Sequence, residues 1–146
     1  MGEEKDERRL QRREGAKDAR HVIGRFHALL NSADLVPEQC YKPNSLTFRL
    51  VLTINQITGL ILSKNYDPIL FFLIEANKAL RSTKPDLVTE PYRKVAQAYL
   101  AQVAYYLNTL EYLDAEALHL KARLPQELIL LGPQLPPGDE ALGSGA

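Results

Sequence analysis

Apolar residues recur every three or four positions through most of this chain, which is the spacing of one face of an α-helix. In the longest series, successive members are separated by steps of 4, 4, 3, 4, 3, 4, 3 and 4 residues. Its members are Val95, Tyr99, Val103, Tyr106, Leu110, Leu113, Ala117, Leu120 and Leu124. We therefore predict one long helix over residues 89–124, which Pro125 ends.

Shorter amphipathic patterns precede this helix. The first covers residues 16–30 and stops at Asn31-Ser32, and the second follows Ser45 to about Leu62. Residues 47–54 also alternate between apolar and polar positions, as a half-buried strand does. Helix is favoured because the helical spacing continues past Asn55 and because the chain has no second strand candidate to pair with it.

A third helix is predicted over residues 69–81. Asp67 is suited to cap its first backbone N–H groups, and Pro68 suits the first helical position. Six consecutive apolar residues, from Ile69 to Ile74, open the helix. A helix that is apolar all round is normally buried, so the first turns are expected to be buried on all sides.

These elements predict an all-α fold, an antiparallel bundle of four to five helices with one long C-terminal helix. Residues 1–14 are nearly all charged and form an arm or a frayed helix, residues 15–131 form the bundle, and residues 132–146 form a disordered Gly/Pro-rich tail. The single cysteine, Cys40, fits a reducing cytoplasm, and no apolar run is long enough to cross a bilayer.

The charges are unevenly distributed although the net charge is zero. Between Arg8 and Arg25 there are seven basic and two acidic residues, whereas six acidic and two basic residues follow from Glu111 onward. Such a chain can meet a polyanion at one end or stack head to tail on copies of itself. A solvated helix face with an acidic tail explains the same pattern.

Five basic residues flank the connection between the third and the long helix: Lys78, Arg81, Lys84, Arg93 and Lys94. Together with the basic run near the N-terminus, they offer two positive surfaces suited to phosphate contact without base reading. Tyr92, Tyr105 and Tyr112 lie on the long helix. Their rings are expected in the core, at a subunit interface or stacked on bases.

A catalytic alternative rests on Arg20 and His27. Ribonucleases of the HEPN class carry an Arg, four to six residues and then a His, and this pair resembles that motif. The His would act as general acid or base while the Arg stabilises the transition state. The three histidines lack the spacing of a zinc-binding helix and no phosphate-binding glycine loop is present, so no metal and no cofactor are expected.

Two segments resemble the small helical subunit of type III CRISPR effector complexes. One is the Arg-Arg pair that enters the first helix, and the other opens the last helix. The matching residues are Arg12, Arg13, Ala16, Ala19 and Val22 in the first segment, and Tyr92, Arg93, Ala98, Leu100, Leu107, Ala115 and Glu116 in the second. The resemblance implies a non-catalytic subunit that stacks in a complex and contacts a guide–target duplex or a single strand with basic side chains.

We therefore expect a non-catalytic, cytoplasmic assembly subunit that binds nucleic-acid backbone. The expected contacts are Arg8, Arg9, Arg12, Arg13, Arg20, Lys78, Arg81, Lys84, Arg93 and Lys94. The expected partners are other protein subunits or copies of this chain, with single-stranded RNA or DNA or a guide–target duplex. A helical interaction or dimerisation module without nucleic acid, with an interface at Tyr92, Tyr105 and Tyr112, is the alternative. No membrane and no small-molecule substrate are expected.

Overall fold

The computed structural model describes residues 18–35, 46–82, 89–110 and 114–138, and every regular element in these ranges is helical. The predicted all-α class is confirmed. The elements are α1 (described over residues 18–30), α2 (Leu46–Ile61), α3 (Tyr66–Ser82), α4 (Glu90–Leu110), a 3₁₀ helix (Ala115–Leu120) and α5 (Gln126–Ile129).

Residues 47–54 are helical, as favoured over the strand alternative. The core seam of α2 is Leu50, Ile54, Ile57 and Ile61, all buried. Thr53 is accommodated in the helix, because its hydroxyl donates to a backbone carbonyl four residues earlier. Thr53 bonds Arg49 at 2.7 Å in this way, a contact open to threonine in helices.

The prediction for the start of α3 is wrong in two respects. The helix begins at Tyr66, so Asp67 lies inside the first turn rather than before it. The first turns are also not buried on all sides: Ile69, Leu70 and Leu73 are buried, whereas Phe71 is 58% exposed. α3 packs against α2 and α4 with one face, and Phe71 lies on the opposite face.

The predicted helix from residue 89 to residue 124 is wrong at its C-terminal end. It begins as expected, with the Thr89 hydroxyl accepting from the Tyr92 N–H, but α4 ends at Leu110. Asp114 has an extended backbone (φ −141°, ψ 112°), and its carboxylate caps the 3₁₀ helix by accepting from the Glu116 N–H at 3.0 Å. The apolar spacing nevertheless continues, since Ala117, Leu120 and Leu124 are all buried.

Tyr99 of α4 connects three helices in the core. Its ring meets that of Phe26 of α1 edge to face, with centroids 6.4 Å apart. Its hydroxyl lies 2.6 Å from the Thr58 hydroxyl of α2 and donates to the Ile54 carbonyl at 3.1 Å. Burial raises the pKa of Tyr99, so the phenol stays neutral and keeps these bonds.

The helices α2 and α3 form an antiparallel hairpin around a short turn in which Lys64 has a positive φ of 56°. α4 then packs against α3, and the segment after it packs against α4. The backbone N–H of Gln134 donates to the buried amide oxygen of Gln102 at 2.7 Å. Gln134 belongs to the predicted tail, whereas the predicted arm (1–14) and residues 139–146 lie outside the described ranges.

Candidate interaction surfaces

The outward face of α2 carries a second apolar series besides the core seam. Phe48, Leu52 and Leu62 are 38%, 47% and 78% exposed, and Gly59 is exposed between the two leucines. With Asn55, these positions are separated by steps of 4, 3, 4 and 3 residues, so those within α2 lie on one side of the helix, and Leu62 directly follows its last residue. We call Phe48, Leu52, Gly59 and Leu62 the α2 outer stripe.

α2 is also unusual in its charge. Arg49 is the one charged residue in its sequence of 16 residues, and within Leu46–Ile61 no acidic side chain lies in the first turn and no basic one in the last. A surface helix normally carries polar and charged side chains on its solvent face. Two apolar faces are typical of a helix that packs against other elements on both sides.

His27 connects α1 to α2 beside this stripe. Its Nε2 lies 2.8 Å from the Asn55 side-chain oxygen, which also accepts from the Asn31 amide at 3.1 Å. Arg20 is exposed, and burial raises the pKa of Tyr106 of α4 while the charge of Arg20 opposes that rise. The Nε2 of His27, the candidate catalytic histidine, already has a hydrogen-bond partner on another helix. The ribonuclease alternative stays a prediction.

The predicted nucleic-acid contacts fall into three groups. Arg8, Arg9, Arg12, Arg13 and Lys84 lie outside the described ranges. Arg20, Lys78 and Lys94 have exposed side chains, as a phosphate contact requires. Arg81 and Arg93, the remaining two, bind other parts of the chain.

Arg93 donates from its guanidinium to the Leu80 carbonyl near the C-terminus of α3. Carbonyls in the last turn of a helix lack intrahelical donors, so this contact stabilises the end of α3. Arg81 pairs with Glu127 of α5 at 2.9 Å, and Glu127 also accepts from the Asn77 amide at 2.9 Å. Its own backbone N–H, Asn77 and Arg81 hold the pKa of Glu127 below its usual range.

These contacts border a concave site of about 250 Å³ between α3, α4 and α5, lined by Asn77, Leu80, Arg81, Arg93, Gln97, Glu127 and Leu128. The charged groups at its edge already bind one another or the backbone. Two residues of the predicted basic patch, Arg81 and Arg93, therefore connect neighbouring helices. The sequence could not indicate this, because each of these contacts joins residues of different helices.

The three tyrosines predicted at an interface differ in their surroundings. Tyr92 is fully buried and belongs to the core, so its ring is not presented to a partner. Tyr105 is half-buried against the core cluster, and Tyr112 lies outside the described ranges. The α2 outer stripe was missed by the sequence analysis, although its spacing is visible in the sequence.

Two side-chain contacts that the sequence analysis also missed fasten the 3₁₀ helix to the start of α3. The Tyr66 hydroxyl donates to Asp114 at 2.7 Å. His119 lies between the Asp67 carboxylate, 2.6 Å from its Nε2, and the Glu116 carbonyl, 2.7 Å from its Nδ1. These contacts position the chain after α4 and leave the outward face of α2 untouched.

Within the described ranges, no group of three or more His, Cys, Asp or Glu side chains is placed to hold a metal ion. Nor does any described helix have the length and apolar character needed to span a membrane. No family model, no curated protein and no solved structure matches this chain. The resemblance to the CRISPR small subunit therefore stays a prediction.

Proposed function

We propose that this chain is a helical assembly module that acts by binding another protein, without chemistry of its own. The observation that carries the proposal is the α2 outer stripe, a row of apolar side chains on an almost uncharged helix. A row of exposed large apolar side chains is typical of interaction sites in soluble proteins. Large apolar anchors surrounded by neutral polar groups are also typical of interface centres.

A site-specific photo-crosslinking experiment tests this proposal. A benzophenone amino acid replaces Leu52 in one variant and Leu131 in another, because the two leucines are 47% and 44% exposed and lie in different parts of the fold, Leu52 in α2 and Leu131 after α5. In cells that make the protein, the residue-52 probe is expected to form a discrete protein adduct that the residue-131 probe does not. Equal labelling at the two positions, or none at residue 52, contradicts the proposal.

A second candidate function is the predicted binding of nucleic-acid backbone, as in the effector complexes that the resemblance implies. It is supported by the exposure of Arg20, Lys78 and Lys94, which leaves their charged groups accessible to phosphate. Its test is the affinity for single-stranded RNA over a series of salt concentrations. We expect binding that weakens steeply with salt and weakens again when the three residues are changed to Ala.

The matched control for that triple variant is Arg81→Ala with Arg93→Ala, which removes positive charges that already contact the chain. If RNA binding is undetectable at low salt, or if both sets of substitutions weaken it equally, the three exposed residues do not form the proposed contact. That result would leave the protein-binding proposal unaffected, since none of these residues belongs to the α2 outer stripe.

A further inference from the structure

We infer that α4 carries a peptide-binding site at Gln102, which the chain fills with its own residues 132–138 and which binds the same segment of a second copy when its own segment is released. We call residues 132–138 the C-terminal strap. The inference goes beyond the proposed function, because the site lies on α4 and does not involve the α2 outer stripe. It is carried by the burial of Gln102, the alternating exposure of the strap and the slight burial of most strap residues.

Gln102 is a polar side chain in the part of α4 that is covered on all sides. Residues 99–104 are consecutive and buried, and Gln102 itself is only 3% exposed. An amide oxygen in such surroundings costs free energy unless a donor reaches it. The donor is the backbone N–H of Gln134 in the C-terminal strap, at 2.7 Å. The site thus accepts a main-chain donor, the group by which proteins commonly hold an extended peptide.

The C-terminal strap lies on this site in the manner of a bound peptide. Pro133, Leu135 and Pro137 are exposed. Between them, Gln134 is half-buried and Pro136 is buried. This alternation is the pattern of an extended chain that turns every second residue toward a surface. Each proline also restricts the residue before it to extended conformations, so the strap is pre-organised and loses little entropy when it binds.

The C-terminal strap can open without unfolding a helix. From Pro133 to Gly138, Pro136 is the one buried residue, and segments with little buried surface open at a low cost in free energy. The strap begins at Gly132 and ends at Gly138, whose φ values are 68° and 95°. Glycine adopts positive and negative φ about equally well, so the backbone can rotate at both ends without steric strain. Gly132 is therefore the hinge on which the strap leaves Gln102.

The ligand that fits the site is the strap sequence itself. The strap of a second copy presents the same backbone N–H and the same buried proline, so an exchange of straps replaces each contact with an identical one. Within a single chain, the tether gives the strap a high effective concentration at Gln102, in the millimolar range for a short flexible linker. The chain's own strap therefore excludes that of a second copy until its hydrogen bond is removed.

A fluorescent peptide of residues 130–138 with blocked ends tests the site on the full chain, by fluorescence anisotropy. Gln134→Pro in the protein removes the strap N–H and leaves Gln102 in place. This variant should bind the peptide at least about tenfold more tightly than the wild type, because the tethered competitor is lost. The control is Leu135→Ala, which changes a strap residue that is 44% exposed and should bind the peptide as the wild type does. Equal affinity of the wild type and Gln134→Pro would overturn the inference.

The hydrogen bond between Gln134 and Gln102 is tested from both sides. A peptide N-methylated at Gln134 lacks the donor but keeps every side chain, and it should bind the Gln134→Pro protein at least about tenfold more weakly. A protein that combines Gln134→Pro with Gln102→Met lacks the acceptor at nearly the same volume and should show a similar loss. The methylated peptide leaves the protein unaltered, so its result does not depend on the folding of a variant. Binding that survives N-methylation would contradict the proposed site.

Two complementary full chains test the second copy as the source of the strap. Gln102→Met keeps a strap with its N–H but lacks the acceptor, whereas Gln134→Pro keeps the acceptor but lacks the strap N–H. Sedimentation velocity over a range of concentrations should show a complex of the two chains in the mixture and not in either chain alone. Adding Leu52→Glu to both chains should leave this complex unchanged, which separates it from binding through the α2 outer stripe. A mixture that sediments as its separate components would overturn the exchange between copies.

Discussion

The Tyr66 hydroxyl donates a 2.7 Å hydrogen bond to the Asp114 carboxylate, which also caps the 3₁₀ helix. One carboxylate thus holds the first residue of α3 and the start of the segment that follows α4. The hydrogen bond from Tyr66 and the bond from the Glu116 N–H lower the pKa of Asp114. A depressed carboxyl pKa means that the charged form stabilises the fold.

The Tyr66–Asp114 contact predicts a pH dependence. The contribution of Asp114 is fully present above its ordinary pKa of 3.8 and is lost as the pH falls through the lower folded-state value. Tyr66→Phe should therefore lower the urea unfolding midpoint at about pH 7, and this difference from wild type should shrink at about pH 2.5. An equal difference at both values would show that the Tyr66 effect does not depend on the Asp114 charge.

The buried Tyr99 hydroxyl predicts a loss of stability when it is removed. Tyr99→Phe should lower the free energy of unfolding by about 1–2 kcal/mol, because the Ile54 carbonyl and the Thr58 hydroxyl lose a buried partner. Combining the substitution with Thr58→Val should give less than the sum of the single effects, measured by urea unfolding. Strict additivity would contradict a direct bond between the two hydroxyls.

The position of Lys64 predicts a stabilising substitution. Its φ of 56° is a left-handed conformation that glycine adopts without steric cost. Lys64→Gly should raise the free energy of unfolding by about 1 kcal/mol in thermal or urea unfolding. The neighbouring Ser63→Gly is the control and should not stabilise the protein, because Ser63 has no positive φ and its hydroxyl bonds the Leu60 carbonyl at 2.8 Å.

Arg93 and Lys94 are adjacent basic residues with different predicted effects. Arg93→Ala should cost about 1–2 kcal/mol of stability, because it removes a charged donor from the Leu80 carbonyl of α3. Lys94→Ala should stay within about 0.5 kcal/mol, as is usual for an exposed surface residue. Equal effects in urea unfolding would argue against a structural role of Arg93.

The helical class and the positions of α1 to α3, apart from the start of α3, were predictable because burying a helix face imposes a local, repeating pattern. Ile54 and Ile57, three residues apart in the amphipathic pattern after Ser45, are both buried. The same periodicity misled the prediction at the end of α4, since an apolar spacing of three to four residues continues across Asp114. Periodicity reports which residues face the core, not whether the backbone between them stays one helix.

The α2 outer stripe could have been found from the sequence, because Phe48, Leu52, Gly59 and Leu62 keep helical spacing. The sequence alone does not show which of the two apolar faces of α2 points toward the core. In the structure, Ile54 is buried and its carbonyl accepts a hydrogen bond from the Tyr99 hydroxyl, whereas Leu52 is 47% exposed.

By itself, the sequence determined an all-helical chain, the apolar seams of its main helices and an uneven distribution of charge along the chain. Those features depend on residues close together in the sequence, where backbone geometry sets the spacing. Only the tertiary structure decided that Arg81 and Arg93 join helices, that Tyr92 lies in the core and that Leu52 of α2 is half exposed. These outcomes depend on contacts between separate helices, such as that of Arg81 with Glu127, 46 residues away, which no local pattern encodes.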